Sequence, residues 1–249
     1  MQDLVNYESY RMTACEEIKC LGISALLSAV AAWILYKHPL GLLLGIAIFP
    51  VYRRNYVRKR ILEQKQELLL QFKDGMQSVS VALLSGYSIE NAWIEAEKEL
   101  RELHGTEAYM SEEMRYMNSG IRMNQPVEQL LEQFAMRTGC EDIIGFAEIF
   151  RFAKRSGGNF ARIIRNTVQR IAEKQEVERE IETILSGKKM EQKIMNVVPV
   201  CLLAYLNLTS EEFLRPLYGN LFGACIMTVA FVAYVGAFLL AQKMVEIKI

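Results

Sequence analysis

Apolar residues recur every three or four positions through the middle of the chain, which is the spacing of helices that bury one face. The clearest example lies between Gly139 and the adjacent pair Gly157 and Gly158. Its apolar positions are Ile143, Phe146, Ala147, Phe150 and Ala153. Because glycine commonly terminates helices, the pattern predicts one amphipathic helix between two glycine turns. Its apolar stripe should be buried against neighbouring helices.

Turn residues divide the rest of this central region into further helices. Gly86 is expected to end a long helix in the left-handed conformation, and Ser88 is expected to cap the next one. Pro126 is expected in the first turn of a later helix, and Asn159 is expected to cap the last. Together these signals predict an all-α bundle of about six helices over residues 53–193.

Some side chains of this bundle allow both a structural and a functional interpretation. Trp93 is expected in the core. Three methionines share the apolar side of a helix expected to end near Ser119: Met110, Met114 and Met117. Thioethers can form adaptable binding surfaces, but they fill gaps in a core more often, so the core is favoured. His104 precedes a helix-ending glycine and is expected at the surface, not as a ligand or base.

Long runs without charge flank the bundle on both sides. They cover residues 20–36, 39–52, 194–208 and 217–241. The first run would span roughly 25 Å as a helix, against about 30 Å for a bilayer core, so two interpretations are open at this end. One is a transmembrane hairpin that turns at residues 37–39, and the other is one crossing followed by an interfacial segment. The hairpin is favoured because Pro39 interrupts the pattern.

The last two runs predict a second transmembrane hairpin, with Pro199 breaking the first of them. The expected domains are therefore an N-terminal segment with a hairpin over 1–52, the helical bundle over 53–193, and a C-terminal hairpin with a short tail over 194–249. The expected fold class is an all-α membrane protein in which two helical hairpins flank the bundle.

Basic residues give the predicted orientation. Five of them lie within residues 53–60, and three more lie within residues 188–193. Lys and Arg near membrane ends stay on the cytoplasmic side. The expected localisation is therefore the inner (cytoplasmic) membrane, multi-pass, with both termini and residues 53–193 in the cytoplasm. The chain carries 29 basic and 29 acidic residues, and this balance gives no reason to expect nucleic acid as a partner.

Catalytic motifs are missing from the sequence. It contains no G-x-x-x-x-G-K-[ST], no H-E-x-x-H and no G-x-S-x-G. Gly157 and Gly158 lack the third glycine of a dinucleotide site and follow a predicted helix instead of a strand. The five cysteines form no C-x-x-C and have no histidine at ligand spacing. We therefore expect no enzymatic activity, no catalytic residue, no cofactor and no metal site.

Three stretches together are similar to the type II secretion system F-domain family. They are SGYSIENAW (residues 85–93), NQPVEQLLEQFAMRTG (124–139) and RTGCEDIIGFAEIFRFAKRSGGNFARII (137–164). Their order and spacing resemble the single-domain branch found in Tad (Flp) pilus machines, and the resemblance covers roughly residues 71–203. Cys140 departs from the pattern, since the family usually has a capping Ser or Asp at this position.

The resemblance implies an inner-membrane platform protein for assembly of a type IV (Tad/Flp-like) pilus or a type II secretion pseudopilus. Such a protein couples a cytoplasmic secretion ATPase to insertion of pilin-like subunits. Its implied partners are the secretion ATPase, a second F-domain platform protein or a homo-oligomer, prepilin-like subunits and the lipid bilayer. The alternative is a membrane-anchored helical signalling or scaffold protein, which is less favoured because the predicted outer loops are too short for a sensor domain.

Candidate interface residues lie at the turns of the motifs and beside them. They are Gly86, Ser88, Pro126, Gly139, Lys154, Arg155, Gly157, Gly158 and Asn159. Residues 156–159 allow two interpretations. They are either a helix C-cap followed by an N-cap, which is favoured, or a turn presented to the motor or to a neighbouring platform subunit. In the second case, charge changes at the exposed Lys154 and Arg155 should abolish filament assembly.

Overall fold

The computed structural model describes residues 7, 10, 12–35, 44–156, 160–209 and 221–245, and this part of the chain is helical with no strand. Its eight helices are α1 (Ala14–Leu35), α2 (Leu44–Leu84), α3 (Ile89–His104), α4 (Tyr109–Arg122), α5 (Val127–Thr138), α6 (Glu141–Ser156), α7 (Phe160–Thr209) and α8 (Leu221–Val245). The all-α prediction is confirmed for these residues.

The predicted transmembrane hairpins are wrong, and so is the multi-pass inner-membrane localisation deduced from them. None of the described helices combines the length and the apolar character needed to cross a bilayer. In three of them the uncharged run is one end of a longer, charged helix. In α2, for example, only residues 44–52 precede Arg53, about 13 Å of helix against a hydrocarbon core of about 30 Å.

The chain divides into two compact units. Unit 1 comprises Met1–Arg11 and Val57–Glu176, and unit 2 comprises Met12–Tyr56 and Val177–Ile249. Unit 1 holds most of α2, all of α3 to α6 and the start of α7. Unit 2 holds α1, the start of α2, the rest of α7 and α8.

The core of unit 1 forms around α6. All five apolar positions of its predicted stripe are buried, with exposed fractions between 0% and 6%. The Phe146 ring meets Phe72 of α2 edge-on, with 5.2 Å between ring centroids. The Phe150 ring meets Trp93 of α3 in the same way at 5.3 Å. Helical periodicity therefore predicted correctly which face of α6 holds the bundle together.

Helix α4 shows what the methionines and the polar triplet at residues 118–120 do. The three methionines are fully buried, which confirms their core assignment. The helix was predicted to end at this triplet, but it continues to Arg122. Asn118 is buried and its Nδ2 donates to Glu97 Oε2 at 2.6 Å. A Cβ at Gly120 would come within 2.8 Å of Leu130 Cδ2. Asn118 and Gly120 thus contact neighbouring helices, and the triplet is not a turn.

The structure also shows the surroundings of Pro199 and His104, and the predicted break at Pro199 is wrong. Pro199 does not break the helix, because α7 runs through it. Proline removes one main-chain hydrogen bond, and the helix continues on either side of it. His104, which was expected at the surface, is partly exposed at 21%, and its Nε2 lies 2.9 Å from Asp74 Oδ2. That contact attaches the end of α3 to α2.

Within unit 2, α1 and the start of α2 are joined by polar contacts. Arg53 lies 3.4 Å from Glu17, and the Tyr56 hydroxyl donates to Glu16 at 3.2 Å. The Tyr234 hydroxyl on α8 donates to the main-chain carbonyl of Asn196 on α7. Arg53, which was predicted to mark a membrane boundary, thus has a carboxylate partner in its own chain.

Candidate interaction site

The turn between α2 and α3 has the conformation that its sequence predicts. Gly86 has φ +90°, and the amides of Gly86 and Tyr87 donate to the carbonyls of Leu83 and Ala82, both at 3.1 Å. These two bonds are the ones that close a helix at a glycine. Ser88 then caps α3, because its side chain accepts a hydrogen bond from the Asn91 amide at 3.3 Å.

The two ends of α5 also carry candidate residues. Pro126 occupies the N-cap position with φ −65°, one residue before the first helical turn in which it was predicted. Its carbonyl accepts from the Gln129 amide at 3.0 Å. Gly139 ends α5 in the left-handed conformation, with φ 58° and ψ 23°. Both residues therefore have main-chain roles at helix ends.

The Thr138 side chain bonds the main chain on both sides of the α5–α6 turn. Its side-chain Oγ1 accepts from the Cys140 amide at 3.3 Å and donates to the Ala135 carbonyl at 2.8 Å. The Cys140 carbonyl accepts from the amides of Ile143 and Ile144 at the start of α6. Burial raises the pKa of the Cys140 thiol. Cys140 is therefore an apolar part of the α5–α6 turn.

We expect alanine to have opposite effects at two glycines close together. Gly139→Ala should destabilise the protein by about 1–2 kcal/mol, because a Cβ is unfavourable at positive φ. Gly145→Ala should stabilise it by about 0.5–1 kcal/mol, because Gly145 lies inside α6 and a Cβ there meets no atom within 4 Å. Urea unfolding followed by circular dichroism measures both. Equal effects at the two positions would contradict the left-handed turn.

Lys154 is bound to a neighbouring helix and is not freely exposed as predicted. Its Nζ lies 2.6 Å from Glu128 Oε2, and the two side chains are 32% and 27% exposed. Burial acts to raise the pKa of Glu128, but the hydrogen bond from Lys154 and the charges of Lys154 and Arg155 hold it below its ordinary value. Arg151 makes a second such pair with Glu132 at 3.1 Å. These pairs connect α6 to α5.

Arg155 is exposed and has no ion pair within the described ranges. It is therefore the better residue for a test of partner binding, since a charge change at Lys154 would also remove the pair with Glu128. The remaining candidates, Gly157, Gly158 and Asn159, lie outside the described residues.

A buried ion pair that the sequence analysis missed joins α4 and α5. The Arg137 guanidinium donates to both Glu113 oxygens, at 3.0 and 2.6 Å. Glu113 is only 3% exposed, and the Tyr7 hydroxyl donates to it at 3.1 Å. One signal was available in the sequence. Glu113 lies three positions after Met110 and four before Met117, so it shares the apolar face of α4.

Tyr7 attaches the N-terminal part of unit 1 to this pair. Its side chain is 1% exposed, and its ring meets Tyr109 edge-on, with 6.1 Å between centroids. Burial, followed by the charge of Glu113, raises the pKa of Tyr7 far above its ordinary value. The phenol therefore stays protonated and donates to the carboxylate. These contacts make the cluster a structural anchor.

A groove of about 450 Å³ lies between the last turns of α2 and the first turns of α7, next to the Gly86 turn. Its lining includes Ser80, Val81, Leu84, Arg165, Gln169 and Ala172. Ser80 is 3% exposed, and its hydroxyl has no hydrogen-bond partner within the described part of the chain. Val81 and Leu84 are about half exposed, at 56% and 50%. The groove thus combines apolar surface, a buried hydroxyl and one arginine, which suits protein binding.

Within the described ranges, no three His, Cys, Asp or Glu side chains come together as a metal site. Comparison with family models, curated proteins and solved structures gives no match. The functional interpretation therefore depends on the motifs and on the groove and charged surfaces described above.

Proposed function

We propose that this chain is an F-domain-type platform subunit that docks a secretion ATPase during assembly of a type IV (Tad/Flp-like) pilus or a type II secretion pseudopilus. In this role it would connect the ATPase to pilin-like subunits, together with a second F-domain protein or a second copy of itself. The ordered motifs in residues 85–164 support the family. Three of the motif residues, Gly86, Pro126 and Gly139, lie at helix ends, as expected of residues that shape a bundle.

The observation that carries the docking role is the charge of residues 151–172, which we name the basic segment. It contains six basic residues and no acidic one: Arg151, Lys154, Arg155, Arg162, Arg165 and Arg170. Arg151 and Lys154 pair with α5. The other four are exposed, with no ion pair inside the described ranges.

Unpaired arginines in a segment without acidic residues favour association with an acidic surface of a partner, because opposite potentials speed encounter and select the partner. Two of them lie on either side of residues 157–159, Arg155 at the end of α6 and Arg162 in the first turn of α7. We place the ATPase contact at these two residues.

The test uses the full chain and the purified secretion ATPase of the same cell. Reversal of both charges, Arg155→Glu with Arg162→Glu, should raise the dissociation constant roughly tenfold or more, because like charges then face each other across the contact. The matched control is Arg101→Glu with Arg122→Glu. These arginines lie on α3 and α4, are exposed, and have no ion pair in the described part of the chain.

Cells provide a second measurement. A strain that lacks the gene should assemble no filaments by electron microscopy, and the wild type and control variant should restore them, whereas the Arg155/Arg162 variant should not. Filaments in the deletion strain would reject the platform role. Wild-type binding by the Arg155/Arg162 variant would reject the docking site. Thermal unfolding of both variants checks that the fold is intact.

A further inference from the structure

One face of α7 carries a basic and an acidic residue. Arg165 lines the groove, and the same helical spacing continues through Gln169 and Ala172, which also line it, to Glu176, which follows them on α7. At about 100° per residue, Arg165 and Glu176 point within about 20° of each other around the helix axis and lie about 16 Å apart along it. Both are exposed, and neither has an ion pair within the residues that the structure describes.

We propose that the groove binds a second copy of this chain, with the two α7 helices antiparallel, so that Arg165 of each copy pairs with Glu176 of the other. A two-fold axis near residues 170 and 171 produces this arrangement, because it exchanges the two positions. The interface is then isologous and forms the same ion pair twice. A parallel arrangement would place Arg165 against Arg165, and the like charges disfavour it.

The apolar surface of the groove also fits this occupant. Val81 and Leu84 leave about half of their surface exposed along the α2 side, at 56% and 50%, and a helix laid in the groove would cover them.

This inference rests on one part of the proposed function, the need for a second F-domain copy, and it is tested without the ATPase. A dimer that does not bind the ATPase would therefore refute the docking role alone. A monomer that binds the ATPase at Arg155 and Arg162 would refute only the pairing through α7.

Sedimentation equilibrium of the full chain measures the pairing. The wild type should have the mass of two chains and a dissociation constant that rises with salt, because exposed ion pairs are screened. Arg165→Glu and Glu176→Arg should each raise this constant roughly tenfold or more, since each places like charges together twice in the dimer. Arg122→Glu, an equal charge change on α4, should leave it unchanged.

The decisive sample is a mixture of the two single variants. The Arg165→Glu copy then has an acidic side chain at both positions and the Glu176→Arg copy has a basic one at both, so both contacts join opposite charges. The mixture should form a heterodimer more tightly than either variant pairs with itself. The double variant Arg165→Glu with Glu176→Arg should likewise regain wild-type pairing. A monomeric wild type, single variants that still dimerise normally, or a mixture with no heterodimer would each overturn the proposal.

Discussion

Arg137→Met should lower the free energy of unfolding by about 3–5 kcal/mol, because it removes the cation from a buried carboxylate. Glu113 is 3% exposed on its side chain, and Arg137 supplies two of the hydrogen bonds that it accepts. Without Arg137, the carboxylate retains the Tyr7 hydroxyl as a donor but has no counter-charge. The expected loss is therefore that of an unpaired buried charge, not that of a surface ion pair.

Arg151→Met is the matched control, because its pair with Glu132 on α5 is exposed, at 43% and 54%. Exposed pairs contribute about 0–1 kcal/mol. The double variant Arg137→Met with Glu113→Gln should also lose less free energy of unfolding than Arg137→Met alone, since the buried charge of Glu113 is then removed as well. Equal losses for Arg137→Met and Arg151→Met would contradict the burial of Glu113.

Urea unfolding of the full chain measures these differences. The chain has two tryptophans, Trp33 and Trp93. A Trp33→Phe background, used for every variant, leaves Trp93 as the fluorescent reporter. Trp93 belongs to unit 1 and is 0% exposed, so its emission reports loss of the core that holds the Glu113–Arg137 pair. The linear dependence of the free energy on urea concentration then yields each value.

Phe146→Ala should destabilise unit 1 by about 3–5 kcal/mol, the usual cost of removing a buried phenylalanine ring. Phe146 is 1% exposed. It meets Phe72 edge-on at 5.2 Å and lies 6.2 Å from Phe150, both measured between ring centroids. The change therefore leaves a cavity where α2 and α6 meet, and both flanking rings lose aromatic contact.

The same helix supplies the control for this prediction. Phe152→Ala removes the same side chain from a position that is 72% exposed, and surface changes of this kind stay within about 0.5 kcal/mol. Both variants are measured in the Trp33→Phe background. If Phe146→Ala and Phe152→Ala lowered the free energy of unfolding by the same amount, the apolar stripe of α6 would not be the centre of the bundle.

The local features of this chain were readable from the sequence because they depend on neighbouring residues. The stripe of α6, the glycine ends of α2 and α5 and the Ser88 cap all arise from interactions within a few positions. Side chains at i, i+3 and i+4 share a face whatever the rest of the fold does. Their placement followed from spacing and from the known behaviour of Gly, Ser and Pro.

Counting charges was a poorer guide to the apolar runs. Residues 39–52 were assigned to a membrane hairpin because they lack charge, but α2 continues from this run into a long charged helix. Residues 194–208 were assigned to another hairpin, with a break at Pro199, yet α7 runs through the proline. A run of apolar residues does not say where its helix begins or ends, and the flanking segments decide this.

The sequence by itself determined the helical class, the buried stripe of α6 and the turns at Gly86 and Gly139. Only the tertiary structure decided the partners of the polar groups. Glu113 is 24 positions from Arg137 and 106 from Tyr7 along the chain. The groove likewise joins residues 77–85 to residues 165–172, which are 80 to 95 positions away. Periodicity predicts which face of a helix is buried. It does not predict which residues that face contacts, because these contacts depend on how helices that are distant in the sequence pack together.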